Sequence, residues 1–218
     1  MNYLVLDLEM CGVAGLYSHR YKYKHEIIQI GGVLLGEDYE PIATICQYVQ
    51  PKYGVLDHFI SQMTGITNDQ IKYAPMLEEA VIHLLEWIGN REYKVFAWSS
   101  TNYRQLKHEI QSKGITNPEI LEFINPDRWT DYQKTFDNRY DFDRSVGLAD
   151  ALELCKIEPD GHFHDGLDDA INTAKIIKKL EENPDYQIVH SDHVIGSESK
   201  PLKTSLGELF SGLDIKFA

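Results

Sequence analysis

Near its beginning the chain reads Tyr3-Leu4-Val5-Leu6-Asp7-Leu8-Glu9, a run of apolar strand formers that ends on two acidic residues. Successive side chains of a strand point to opposite faces of a sheet, so Asp7 and Glu9 share one face. Two carboxylates side by side on a buried strand repel each other, and a divalent cation held by their oxygens commonly removes that repulsion. By itself, however, the pair favours an ordinary solvent-exposed strand end. A metal site therefore needs further ligands elsewhere.

The segments that follow predict the rest of the fold. Two more strands, at residues 26–35 and 42–49, come with few helical signals between them, which is typical of an antiparallel meander. Residues 126–144 show only weak periodicity. The other predicted segments are helices over 57–63, from 67, and over 75–89, 102–110, 146–155 and 167–180, with strands over 93–98 and 121–124. Three strands followed by strands that alternate with helices predict an α/β domain with a mixed sheet.

A second group of polar residues lies far along the chain, in His164-Asp165-Gly166-Leu167-Asp168-Asp169. If a helix begins just after His164, then His164 and Asp169 face the same cleft. A neutral imidazole beside a metal site is suited to take a proton from an attacking water. Asp165 and Asp168 need no catalytic role, because the dipole at a helix start favours carboxylates there.

The charge of the chain bears on which partners it attracts. The 218 residues include 34 acidic and 21 basic side chains, for a formal net charge of −13. Such a balance argues against general attraction to a phosphate backbone. Divalent cations bound in an acidic cleft reverse the local field, so the charge does not exclude a nucleic-acid enzyme.

The amino end, the apolar runs and the cysteines indicate where the protein works. No basic region precedes the first apolar stretch, so we predict no signal peptide. No apolar run approaches the ~18 residues that span a bilayer, so we expect no membrane partner. Cys11, Cys46 and Cys155 have no metal-ligand spacing and are predicted to be buried or inert thiols. We therefore expect a cytoplasmic protein.

Four segments together resemble the DEDDh exonucleases, the DnaQ-like group of the ribonuclease H-like superfamily, over roughly residues 2–180. In the family's order, the matching segments are Leu4-Val5-Leu6-Asp7-Leu8-Glu9, Glu26-Ile27-Ile28-Gln29-Ile30-Gly31-Gly32-Val33, Thr64-Gly65-Ile66-Thr67 with Ala74-Pro75, and His164 to Asp169. The group includes polymerase proofreading subunits and ribonuclease T-like RNA-trimming enzymes. The resemblance implies a ribonuclease H-like mixed sheet, with three antiparallel strands and then parallel ones, flanked by helices. It assigns residues 1–182 to this domain and leaves 183–218 as a linker and tail.

The resemblance also implies an activity, namely a metal-dependent 3′–5′ exonuclease that releases nucleoside monophosphates from single-stranded DNA or RNA ends. Asp7, Glu9 and Asp169 would bind two Mg²⁺ or Mn²⁺ ions. His164 would be the general base for the water that attacks the terminal phosphodiester.

One position departs from the family's pattern. The second motif often reads Trp-Gly-x-x-Asp, whereas this chain has Trp98-Ser99-Ser100-Thr101-Asn102. Asn102 stands where a fourth metal-binding Asp is expected, and a neutral amide is a weaker ligand than a carboxylate. Glu109 lies ~10 Å further along the predicted helix, too far to substitute.

Three explanations of Asn102 stay open. The chain is a natural low-activity or binding-only homologue, or it keeps its activity through a water-mediated ligand, or the residue was substituted to trap substrate. The alternative to a working exonuclease is therefore a catalytically weakened module that keeps the fold and binds nucleic acid or a partner.

Substrate contacts are predicted at two places. The resemblance assigns the 3′ end to backbone groups near Met10 and Cys11. After the first strand comes a basic loop interleaved with aromatics, His19-Arg20-Tyr21-Lys22-Tyr23-Lys24-His25. Tyrosines can stack on bases while cations meet phosphates, although a solvated charged loop explains the same residues as well. The candidate contacts in this loop are Arg20, Tyr21, Lys22 and Tyr23.

The end of the chain has a different composition. Beyond residue 182 it becomes rich in Pro, Ser, His and Asp, and it closes on apolar residues at helical spacing, which are Leu206, Leu209, Phe210 and Leu213. This pattern predicts a short amphipathic helix. Either the helix folds back on the domain, or residues 202–218 dock into the groove of a protein partner.

Overall fold

The computed structural model describes residues 1–17 and 23–189, and a six-stranded mixed sheet forms their centre. The strands are β1 (Asn2–Val13), β2 (His25–Leu35), β3 (Pro41–Tyr48), β4 (Gly54–Val55), β5 (Tyr93–Ala97) and β6 (Trp129–Asp131). They are arranged in the order β3-β2-β1-β5-β6, with β4 paired to the end of β1. β1, β2 and β3 are antiparallel, whereas β1, β5 and β6 are parallel. The predicted mixed sheet is therefore confirmed.

Helices cover both faces of this sheet. They are α1 (His58–Thr64), α2 (Asn68–Ile71), α3 (Leu77–Ile88), α4 (Ser100–Ser112), α5 (Pro118–Phe123), α6 (Tyr132–Arg139), α7 (Leu148–Leu154) and α8 (Gly166–Glu182). The alternation of β1 separates two cores. Leu4 and Leu6 pack with the side chains of α3, α4 and α5, while Val5 packs with those of α6, α7 and α8. Asp7 and Glu9 continue the Val5 side of the strand, so they face α8.

The strand predicted over residues 121–124 is wrong, because these residues belong to α5 and the turn after it. Pro118 stands in the first turn of this helix. Asn117 caps the helix, since its Oδ1 accepts hydrogen bonds from two backbone N–H groups at 2.9 and 3.4 Å. Ile120 and Phe123 are both buried, which the three-residue spacing of a helix face explains and a strand does not. The cap at Asn117 and the proline at 118 explain why this segment is a helix and not a strand.

Residues 126–144, which gave no clear pattern, contain β6 and α6. β6 is three residues long, too short to show an alternation. Asp131 ends it and caps α6, with Oδ1 accepting from the Lys134 N–H at 3.0 Å. The other oxygen, Oδ2, accepts from the Ser100 N–H at 3.2 Å and joins β6 to the start of α4. Polar capping at Asp131 sets where α6 begins, and the two buried aromatic side chains of α6 then hold the helix in the core.

Two glycines allow α8 to touch the sheet directly. A Cβ built on Gly31 of β2 would lie 2.0 Å from the backbone carbon of Gly166, the first residue of α8. A Cβ on Gly166 would lie 3.2 Å from the backbone oxygen of Asp7. The absence of side chains at both positions therefore sets the start of α8 against β1 and β2.

We expect Gly31→Ala to lower the free energy of unfolding by at least about 1–3 kcal/mol, because the new methyl group meets rigid backbone. Gly12→Ala is the matched control in the same sheet, since a Cβ there meets no atom within 4 Å. Urea unfolding of both variants measures the difference. Equal midpoints for the two variants would contradict the close contact between β2 and α8.

The chain continues along the domain beyond α8. The Tyr186 hydroxyl donates to the Cys155 carbonyl at 2.8 Å, and the Val189 N–H donates to the Leu154 carbonyl at 2.9 Å. Contact with the domain thus extends past residue 182. The predicted tail at 202–218, with its helix and protein partner, lies outside the described residues. Among the described residues, no helix is long and apolar enough to cross a membrane.

Candidate active site

The acid pair of β1 lies inside the molecule, unlike the solvent-exposed strand end that the pair alone favoured. Glu9 is 7% exposed and Asp7 is half-buried. Burial, and then the neighbouring charge of Asp169, raise the pKa of Asp7 to about 8. Burial, and then Asp7 and Asp169, raise the pKa of Glu9 to about 9. The pair therefore strongly resists ionisation in the absence of a cation.

The start of α8 brings His164 and Asp169 to this pair. Asp165 caps the helix, because its Oδ1 accepts from two backbone N–H groups of the first turn at 3.0 and 3.2 Å. His164 has a φ of 68°, in the left-handed region that few residues other than glycine adopt. Its backbone N–H donates to Asp169 Oδ2 at 3.0 Å. One candidate ligand atom from each of Glu9, His164 and Asp169 lies within 4.8 Å of the others.

The chemistry of this cluster fits a divalent cation. Asp169 Oδ1 is buried and has no hydrogen-bond partner in the described part of the chain. An unpaired buried carboxylate oxygen is costly, and a cation would satisfy it. Burial raises the pKa of Asp169 as well. The carboxylates of Glu9 and Asp169 in this group, with Asp7 near enough to raise the pKa of Glu9, supply the oxygen ligands that Mg²⁺ and Mn²⁺ prefer.

Asn102 reaches the same cluster from α4. Its side chain is 6% exposed, and its Nδ2 donates to Asp7 Oδ1 at 2.8 Å. An aspartate here would add a fourth carboxylate beside Asp7. Glu109 is turned away, because it accepts hydrogen bonds from the Ile27 N–H at 2.9 Å and from Lys113 Nζ at 2.7 Å. The prediction that Glu109 does not replace the missing acid is consistent with these contacts.

The predicted contacts in the basic loop fall partly beyond what the structure describes, since Arg20, Tyr21 and Lys22 lie outside the described residues. Tyr23 is described, and its ring stacks on the imidazole of His108 in α4, with centroids 4.8 Å apart. The end of this loop is therefore joined to α4.

The side chains of Met10 and Cys11 offer little exposed surface to a substrate. Cys11 is fully buried in a small core with residues of α1 and α2, and burial raises its pKa to about 12. Met10 is half-buried against the core between the sheet and α3. Cys155 is buried as predicted, whereas Cys46 is exposed. That backbone groups near position 11 contact the 3′ end of a substrate therefore stays a prediction.

Sequence reasoning assigned no role to Gln29, which couples the two halves of the site. It is fully buried in β2, and its Nε2 donates to Asp165 Oδ2 at 3.0 Å. Its Oε1 accepts the Gly166 N–H at 2.8 Å. The available signal was a polar residue within an otherwise apolar strand, since a buried amide must find partners.

Comparisons with known proteins agree with this geometry. Residues 4–177 match the RNase_T family, described as exonuclease. Mouse "3'-5' exoribonuclease 1" is 27% identical over 198 residues, which cover 85% of this chain and 55% of that protein. The "Probable 3'-5' exonuclease KapD" of Bacillus subtilis is 26% identical over 184 residues, covering 84% of this chain and 86% of that protein. The chain spans about half the length of the mammalian exoribonucleases that it matches.

A solved structure shares the fold. The nuclease domain of 3'hExo, described as a DEDDh family member bound to rAMP, has a TM-score of 0.69 and 24% identity. The match covers 87% of this chain and 96% of that one. The exonuclease resemblance of the four sequence segments is confirmed by the family match, and the chain belongs to the RNase_T exonuclease family.

Proposed function

We propose that this chain is a metal-dependent 3′–5′ exonuclease that releases nucleoside monophosphates from single-stranded ends of DNA or RNA. The observation that carries the proposal is the group of Glu9, His164 and Asp169, in which one buried oxygen of Asp169 has no protein partner among the described residues. The direction of cleavage is supported by the names of two relatives, a 3'-5' exoribonuclease and a probable 3'-5' exonuclease.

Asp7, Glu9 and Asp169 would hold two Mg²⁺ or Mn²⁺ ions, the number that the family resemblance implies. Bound ions would supply charge stabilisation for the leaving oxygen and orientation for the attacking water. Asp165 and Gln29 hold the start of α8 against β2, the strand paired with β1, so the three carboxylates would stay together despite their repulsion.

His164 would act as the general base. Its side chain is exposed, so water and a strand end can reach the ring, while its backbone is fixed by the bond to Asp169. The imidazole would take a proton from the water that attacks the terminal phosphorus. The bond to the 3′ oxygen of the preceding nucleotide then breaks. The products are a nucleoside 5′-monophosphate and a strand that ends in a new 3′ hydroxyl.

A second candidate function is a module that binds nucleic acid or a partner and cleaves slowly. Asn102 favours it, because its amide contributes no negative charge and donates to the Asp7 oxygen that a cation would use. The site would then hold its more weakly bound cation poorly.

Single strands labelled at the 5′ end, both DNA and RNA, test these two candidates in Mg²⁺, Mn²⁺ or chelator. We expect shortening from the 3′ end with either metal and none in chelator. Binding without shortening in every condition would overturn the exonuclease in favour of the binding module. Neither binding nor shortening would contradict both candidates.

We expect Mg²⁺ to raise the melting temperature of the chain more at pH 9 than at pH 6. In the folded protein the pKa values of Asp7 and Glu9 are about 8 and about 9, far above the ordinary ~4 of the unfolded chain. The contribution of these two groups to stability without metal is therefore fully present below pH ~4 and is lost as the pH rises towards those folded values. A bound cation offsets this loss where the carboxylates ionise. Thermal melting with and without Mg²⁺ measures the effect.

Asp7→Asn is the control for this experiment, because it removes one charge with little change of shape. We expect it to melt at a higher temperature than the original chain at pH 9 without metal, and to lose most of the Mg²⁺ effect. An equal Mg²⁺ effect in both proteins would contradict the assignment of Asp7 as a ligand.

A further inference from the structure

The outer face of α4 is cationic, in contrast to the acidic chain as a whole. Arg104 is exposed, and Lys107 and His108 are half-exposed. The single acid of this helix, Glu109, is turned inwards and fully buried, where it pairs with Lys113. The face of α4 towards solvent thus presents positive and neutral side chains without a carboxylate.

Within the described ranges, the cations of this face are not neutralised by a carboxylate, unlike two half-exposed lysines of α8. Lys175 and Lys178 of α8 pair with Asp160 and Glu40 at 2.6 and 2.7 Å. Arg104 and Lys107 make no ion pair with any carboxylate of residues 1–17 or 23–189. Their charges are therefore available to an anion from outside the described chain.

The first turn of α4 lies at the acidic site. Asn102, in the first turn, touches Asp7. Residues three or four apart on a helix are neighbours, with ~5–6 Å between their Cβ atoms. Lys107 and His108 lie three and four residues after Arg104, so these side chains form one line along the helix whose first turn lies at the site.

Residues at the end of the loop after β1 lie beside this line of cations. The ring of Tyr23 stacks on His108 at 4.8 Å with an interplanar angle of 19°. Gln105 Nε2 donates to the His25 carbonyl at 2.9 Å, which ties the loop end to the helix. Lys24, between them, is exposed. A cationic line with flat rings beside it is the arrangement that holds single strands without reading their sequence.

We propose that the α4 stripe, made of Tyr23, Lys24, Arg104, Lys107 and His108, binds the phosphates of a single-stranded nucleic acid upstream of the nucleotide being removed. This inference rests on the proposed exonuclease function and deepens it by naming where the body of the strand lies. A chain of net charge −13 repels a polyanion over most of its surface. The nucleic-acid strand would therefore lie along this local line of cations, which have no acidic partner among the described residues.

The double variant Arg104→Gln with Lys107→Gln tests the proposal, measured as kcat/KM for shortening 12-nucleotide and 3-nucleotide strands in Mg²⁺ at several salt concentrations. Two lost single-strand phosphate contacts should reduce the slope of log kcat/KM against log salt by ~1.4. We expect this loss for the 12-nucleotide strand, through a higher KM, and a smaller one for the 3-nucleotide strand. The control is Lys94→Gln, an exposed residue near the amino end of β5, whereas α4 follows the carboxyl end of that strand.

A charge-preserving double variant, Arg104→Lys with Lys107→Arg, separates lost charge from a damaged helix and should keep the original slope. An unchanged slope and KM in the Gln variant would overturn the stripe while leaving the exonuclease intact. Equal losses in the Lys94 control or in the charge-preserving variant would overturn it too. If the original chain shortens neither strand, the proposed function itself fails.

Discussion

His164→Ala should slow shortening of a single strand by at least ~100-fold while leaving strand binding nearly unchanged, since general-base catalysis contributes ~10²–10⁴-fold. The side chain of His164 is exposed beside Glu9 and Asp169, and it supplies no hydrogen bond that holds the fold among the described contacts. Its structural bond to Asp169 comes from the backbone and survives in alanine. The substitution therefore removes the proton acceptor and little else.

His162→Ala is the matched control for this result. His162 is an exposed histidine two positions earlier, and it too donates its backbone N–H to a carboxylate, Asp168, at 2.7 Å. We expect His162→Ala to keep the original rate of shortening. Single-turnover rates at saturating enzyme compare the two variants without interference from binding. Unchanged chemistry in His164→Ala, or an equal loss in His162→Ala, would remove the proposed base.

Asn102→Asp should raise activity at low metal concentration by at least about tenfold, the smaller end of the effect of perturbing a metal site. The new carboxylate would stand where Asn102 Nδ2 now lies 2.8 Å from Asp7 Oδ1. Without metal it adds repulsion to a buried acidic group, so the metal-free variant should melt at a lower temperature than the original chain. When metal is bound, the same carboxylate serves as a ligand of the ion.

Asn102→Ala is the comparison that separates charge from shape. It deletes the hydrogen bond to Asp7 without adding a carboxylate, so we expect no gain in metal affinity. Metal titrations of activity and of melting temperature are measured for both variants. If Asn102→Asp neither tightens metal binding nor raises the rate, the residue is not a weakened ligand. Activity that arises in the Asp form and is absent from the original chain would favour the binding module.

The parts of the fold that follow from apolar patterns could be predicted from the sequence. β1, β2 and β3 show runs of strand formers, and α3 and α8 show helical stripes. The closeness of Asp7, Glu9 and Asp169 also followed, because strand alternation and a helix start fix where such side chains point.

Other parts depend on contacts between distant residues, which no local pattern reveals. The fit of Gly31 against Gly166 and the two hydrogen bonds of Gln29 join segments more than a hundred residues apart. β6 is too short to show a period and is defined by its pairing with β5. The strand predicted over 121–124 is wrong because its apolar residues fit both periods, and the cap at Asn117 outweighed them.

The identity of the product tests the central claim most directly, using a single strand whose 3′-terminal phosphodiester carries the label. In Mg²⁺ we expect chromatography to show the label in a nucleoside 5′-monophosphate from the earliest time points, and no release in chelator. Release of the label in longer fragments, as a 3′-monophosphate, or equally in chelator would contradict hydrolysis at the site of Asp7, Glu9, His164 and Asp169. No release in any metal would contradict it as well.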